Sequence, residues 1–289
     1  MTGVGAWLVA AAAGLVVARA LVWAAADVLA NPVLQRRNHR DLLVPTAGGL
    51  LVAAAILPLE AVRSLLGGFG VIDEGGEAVV RASLLFACFG FAFLGLVDDL
   101  LGTDGERGFR GHLRAVAHGR MTTGALKLFG GGALALVLAA PASDSGARLV
   151  GDALLIALAA NLANLLDRAP GRAVKAALVA YVPVAVVAGA GPVGLGLASV
   201  MGATVGVLPD DLRERLMLGD TGANLLGAVL GLAVVLEATP AARSAVLAGL
   251  VVLNLASEVV SFSKVIDRVA PLRFVDQLGR KPPGRSSMA

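Results

Sequence analysis

"FAFLGLVDDLLG", residues 91–102, closes a long apolar run with two adjacent carboxylates, Asp98 and Asp99, before the chain returns to Leu-Leu-Gly. The run that leads into it is long enough to cross a hydrocarbon core of ~30 Å as a helix. Runs of the same kind fill nearly all of the 289 residues. The chain is 57% hydrophobic and 16% charged, with mean hydropathy +0.82, well beyond what one soluble core requires. The sequence therefore predicts an all-α, polytopic integral membrane protein. About nine spanning helices are expected, near residues 4–30, 46–66, 80–101, 123–142, 149–167, 173–190, 192–208, 217–238 and 243–265. Residues 1–268 read as a single transmembrane domain with cytoplasmic loops and 269–289 as a cytoplasmic tail, whose polar, Pro-rich end "GRKPPGRSSMA" is expected to be loose.

The loops alternate in charge. One set carries Arg36, Arg37 and Arg40; Arg107, Arg110, Arg114 and Arg120; Arg168, Arg172 and Lys175; Arg213 and Arg215; and a basic C-terminus from Lys264 to Arg285. The other set is acidic or nearly neutral, with Asp73, Glu74 and Glu77 in its first member. Basic loops stay on the cytoplasmic side, which puts the N-terminus outside and the C-terminus in the cytoplasm of a plasma (inner) membrane protein. No positive segment precedes the first apolar run, so that run is expected to be retained. Arg19, inside it, lies close enough to the cytoplasmic end to snorkel. A net charge of +3 spread over short loops gives no ground for nucleic-acid binding. The lone Cys88 excludes an intramolecular disulfide and a cysteine metal cluster. Twenty of the 24 basic residues are arginine, a bias that fits GC-rich bacterial coding.

On this topology every unusual polar cluster falls at a cytoplasmic helix end. Asp98 and Asp99 close the third span. Asn161, Asn164 and Asp167 in "NLANLLDRAPG" are spaced i, i+3, i+6 and share roughly one face at the end of the fifth. Asp220 in "LMLGDTGANLLG" opens the eighth. Taken singly, these are an interfacial cap, hydrogen-bonding between helices and a helix start. Together they bring carboxylates from three segments to one membrane face, where like charges repel unless a cation or shared proton offsets them. Oxygen ligands without a Cys or His cluster favour Mg2+, or Mn2+, over zinc. With Arg40, His112 and Arg114 nearby as phosphate or lipid-headgroup candidates, the pattern suggests phosphoryl transfer at the membrane surface.

These segments resemble the polyprenyl-phosphate N-acetylhexosamine-1-phosphate transferase family (glycosyltransferase 4 type). "NHRDLLVPTAGG" (38–49) looks like its first cytoplasmic loop, "GLVDDLLG" its double aspartate and "TTGALKL" (122–128) its lysine segment. "NLANLLD" is similar to its Asn-x-x-Asn-x-x-Asp motif and "LGDTGANLLG" to its Gly-Asp-Thr-Gly motif. The resemblance implies Mg2+-dependent transfer of a sugar-1-phosphate from a UDP-sugar to polyprenyl phosphate, releasing UMP, for cell-envelope glycans such as peptidoglycan. By the same resemblance Asp98, Asp99 and Lys127 would be catalytic. Asn161, Asn164, Asp167 and Met217 would border the nucleotide, Asp220 and Asp167 would hold the metal, and a homodimer is possible.

The chain departs from that pattern in places. The fifth-span motif continues as "DRAPG", with Arg168 and Pro170 where the family commonly has glycine and a second aspartate. Met217 stands where an aromatic residue is found in muramoyl-pentapeptide transferases, and the last loop has no histidine. These departures motivate an alternative, a catalytically silent or substrate-switched member acting as a membrane scaffold. A transporter is disfavoured because the polar residues lie at one face and not at the midplane.

Overall fold

The computed structural model describes residues 3–72, 77–102 and 122–281. Its long helices are α1 (Gly3–Ala24), α2 (Gly49–Gly68), α3 (Ala78–Leu101), α4 (Thr123–Ala139), α5 (Gly146–Leu166), α6 (Arg172–Ala188), α7 (Pro192–Leu212), α8 (Gly219–Glu237) and α9 (Pro240–Ser257). Two short helices follow, α10 (Phe262–Arg268) and α11 (Ala270–Gln277). Among the described residues eight helices are long and apolar enough to cross a membrane, so the chain is an all-α, multi-pass membrane protein. The remaining long segment, α6, has 17 residues, and Arg172 and Lys175 lie in its first turn. One departure from purely helical structure is a two-stranded antiparallel ribbon, β1 (Gln35–Arg37) and β2 (Leu43–Pro45), in register Gln35↔Pro45.

Helix α8 is the axis of the bundle. It is buried along nearly its whole length and packs against α2, α3, α5, α6 and α7. Lipid tails are as apolar as leucine, so close helix contact relies on small residues. A Cβ on Gly95 of α3 would lie 2.3 Å from the Asp220 carbonyl oxygen, and one on Gly49 of α2 would lie 2.1 Å from Gly222 Cα. These glycines let α2 and α3 press against the first turn of α8, and the α3 contact brings Asp98 and Asp99 onto it.

Helices α1 and α7 form a second close pair, with Gly202 set against the Ala11 carbonyl and Gly14 against that of Ser199. Arg19 does not simply reach for the headgroups. It donates to the Gly206 carbonyl at 2.9 Å and pairs with Asp210 of α7, a carboxylate that Arg215 also approaches at 3.4 Å. A buried acid at a span end supplies the partner that an isolated helix would have to find in water.

The segment read from sequence as a cytoplasmic tail begins with a helix. Helix α11 docks on the bundle through Asp276, which is 6% exposed; residues 282–289 lie outside the described ones. Helix α9 has no buried residue and leans mainly on α5.

Candidate active site

The polar ends of α3, α5, α7 and α8 meet the start of α4 at one end of the bundle. At the centre is an ammonium. Lys127 Nζ donates to Asp98 Oδ2 at 3.4 Å and is paired with Asp220 Oδ2. With the Asn164 amide oriented to satisfy its neighbours, its oxygen accepts from Lys127 at 2.8 Å and its nitrogen donates to Asp220 Oδ1 at 2.6 Å. Three oxygens from three helices thus converge on one cation. Two belong to carboxylates and the third is the negative end of an amide dipole, which is the environment a positive group needs when partly withdrawn from water.

The adjacent aspartates separate in role. Asp98 faces Lys127, whereas Asp99 turns both oxygens into the first turn of α8. There Oδ1 accepts from the Asp220 N–H at 3.0 Å, and Oδ2 accepts from the Thr221 N–H at 3.0 Å and the Thr221 hydroxyl at 2.6 Å. The first N–H groups of a helix lack intrahelical partners and the helix dipole favours negative charge beside them. Asp99 is therefore a cap supplied by another helix. Gly219 makes room for it: its φ is +72°, and a Cβ there would lie 2.6 Å from Asp99 Oδ2. Asp99→Asn puts an amide donor against these N–H groups, and we expect about 1–2 kcal/mol lost from the thermal stability of the detergent-solubilised protein.

Asp167 ends α5, beside this centre. Burial pushes its carboxyl well above the usual carboxylate range, and the charges of Asp211, Asp220 and Asp99 push in the same direction. Asn161, nearly two turns earlier, does not join the cluster. Its amide donates to Asn254 Oδ1 of α9 at 2.7 Å, a link between helices. Met217 is fixed by its backbone, its N–H donating to the Pro45 carbonyl at 2.7 Å and its carbonyl accepting from Gly48 at 2.9 Å. Arg40 pairs with Glu214 at 3.1 Å and donates to the Lys281 carbonyl at 3.2 Å, so the structure places it on protein partners beside the site. His112 and Arg114 lie outside the described residues.

Two groups that sequence reasoning passed over complete the surroundings. Asp211, 4% exposed, accepts from the Gly171 N–H at 2.8 Å and the Leu218 N–H at 3.3 Å, bridging the 167–171 and 213–218 loops. Its sequence signal is a second pair of adjacent aspartates, Asp210 and Asp211, closing an apolar run just as Asp98 and Asp99 do. The other is Asp276, held by Arg172, Lys175 and Arg280. Burial alone would raise its carboxyl, but the bonds and charge of Arg172, with Arg280 and Lys175, hold it below the usual range.

The span that delivers these side chains, from α3 to α8, is also where the chain matches a known family: the profile described as Glycosyl transferase family 4 aligns with residues 81–238, more than half of the sequence. The chain belongs to Glycosyl transferase family 4. No curated protein sequence matches it. Membership makes the chain a transferase of the class that moves sugar phosphate to a lipid carrier, and it places the Lys127 cluster inside the family region.

On chemical type the cluster suits a hard divalent cation. Its inward groups are carboxylate and amide oxygens, and Lys127 already stands among them as a positive charge. Among the described residues no three His, Cys, Asp or Glu side chains form a metal-binding group. The converging set is two carboxylates and one amide.

Proposed function

We propose that this family 4 protein transfers a sugar-1-phosphate from a UDP-sugar, of the UDP-N-acetylhexosamine type, to polyprenyl phosphate, with Mg2+ (or Mn2+) as cofactor. The observation that carries the reading is the Lys127 ammonium held by Asp98, Asp220 and Asn164 at the head of a buried helix. In the reaction an acceptor phosphate oxygen attacks the β-phosphorus of the donor, the bond from that phosphorus to the bridging oxygen breaks, and UMP leaves. The nucleophile is already ionised, so the protein has little proton to remove. Positioning and charge compensation are what it must supply.

Asp98, Asp220 and Asn164, with Asp167 beside them, are the residues that would hold the cation. When bound, it would neutralise charge on the phosphates. Lys127 would face phosphate, and Asp99 keeps the start of α8 in place. An apolar groove of about 470 Å3 between α5, α6, α8 and α9 extends from Leu166, next to Asp167, to Glu237 at the other end of α8. It supports a prenyl chain lying along the bundle with its phosphate at the acidic end. The clustering of Arg and Lys in loops at this end supports a cytoplasmic orientation for the site.

The purified protein with polyprenyl phosphate, Mg2+ and a panel of UDP-sugars is expected to release UMP from at least one donor. Release should require the lipid phosphate and stop with a chelator. No release of any nucleotide across the panel would overturn the reading.

A further inference from the structure

The C-terminal segment grips the loop that leads out of the site. Asp276 of α11 receives a two-pronged bond from Arg172, Nε to Oδ1 at 2.8 Å and Nη2 to Oδ2 at 3.0 Å, and its backbone carbonyl accepts from Lys175 at 2.7 Å. Arg172 also donates to the Ser263 hydroxyl at 2.7 Å, tying α10 to the same point. Arg280 pairs with Asp276 and donates from Nε to the Pro170 carbonyl at 2.8 Å. Arg172 and Lys175 form the first turn of α6, directly after the loop 167–171.

The loop's own backbone bonds are local, Arg168 N–H to Leu166 at 2.8 Å and Arg172 N–H to Ala169 at 3.1 Å. Gly171, with φ +69°, gives its N–H to Asp211, and Asp167 stands at the other end of the loop, where α5 stops. Arg280 therefore supplies the bond to the "DRAPG" turn at Pro170, and Asp276 holds Arg280 in place. The rest of α11 contributes little: Leu272 is 47% exposed, Phe274 69% and Val275 46%. The docking is polar and concentrated on one carboxylate, whose two oxygens are both engaged by guanidinium groups.

We propose that Asp276 is a positioning residue for the transfer reaction: through Arg280 on the Pro170 carbonyl and Arg172 at the head of α6, it fixes the loop that presents Asp167 to the donor side of the site. This rests on the transferase reading above, since it assigns the loop to the nucleotide-sugar. Removal of the Asp276 charge frees the loop without touching Asp98, Lys127 or Asp220.

The test compares the full chain in lipid nanodiscs with Asp276→Asn, Asp276→Glu and Arg280→Gln. In Asp276→Asn we expect the KM for the UDP-sugar to rise about tenfold while that for polyprenyl phosphate stays within about twofold. Arg280→Gln should shift the same way, and Asp276→Glu should recover part of the loss. Hydrogen exchange over residues 167–172 should accelerate in Asp276→Asn and Arg280→Gln, with exchange in α3 and α8 unchanged. Equal rises in both KM values, or unchanged exchange over 167–172, would overturn the proposal; if Asp276→Asn does not fold, Arg280→Gln decides it. A wild-type protein that transfers nothing would sink the transferase reading instead, and the exchange comparison would still show whether Asp276 holds the loop.

Discussion

Asp220→Asn is expected to lower transfer on the order of a thousandfold while leaving the protein folded. Asp220 is the carboxylate on which the cluster turns: it takes Lys127 on one oxygen and, through the other, orients Asn164. Without its charge Lys127 keeps Asp98, at 3.4 Å, as its acidic partner, and the site loses an oxygen ligand that a divalent cation would need. The structural cost should be small by comparison. Asp220 sits in the first turn of α8, where its interaction with the helix dipole is worth about 0.3–1 kcal/mol, and Asp99 still caps that turn through backbone N–H groups. The measurement is the transfer rate beside the thermal unfolding midpoint of the same preparation. A variant within tenfold of wild type would mean that Asp220 serves only the helix.

The second large effect is steric. Gly95→Ala places a methyl group 2.3 Å from the Asp220 carbonyl oxygen and 2.4 Å from its carbon, both backbone atoms of a buried turn. Neither can move aside without shifting α3 from α8. Overpacking of this kind costs roughly 1–3 kcal/mol, and here the displaced segment also carries Asp98 and Asp99. Stability and activity should fall together, unlike the Asp220 variant, where activity alone falls. Gly132→Ala is the control. Nothing lies within 4 Å of a Cβ at that position, so its yield of folded protein and its melting midpoint should match wild type.

The spans could be read from the sequence because each is a local property, a run of apolar residues as long as a bilayer is thick. The approach of Asp98, Asn164 and Asp220 to one end could also be read, since alternating spans carry every second helix end to the same face; Lys127 came only with the family resemblance. Which oxygen bonds which donor could not. Asp98 and Asp99 are adjacent, and only the packing of Gly95 against Asp220 decides that one faces Lys127 and the other caps α8. The same holds for Asn161 and Asn164, one turn apart, of which one meets Asn254 and the other Lys127. Arg19 looked like a snorkelling residue for the same reason, because its partner Asp210 lies 191 residues away. Asp276 was hidden because its role depends on Arg172 and Arg280 arriving from two sides.

The central claim, transfer of a sugar together with its phosphate, is tested most directly by following the β-phosphate of the donor. The protein is incubated with polyprenyl phosphate, Mg2+ and UDP-N-acetylhexosamine carrying 32P in the β position, and the mixture is extracted with organic solvent. Label in the lipid phase, equal in amount to the UMP released and absent with Lys127→Met, is the predicted result. Label that stays in water as UDP while sugar enters the lipid would contradict the account, since the bond broken would then be the one between sugar and phosphate.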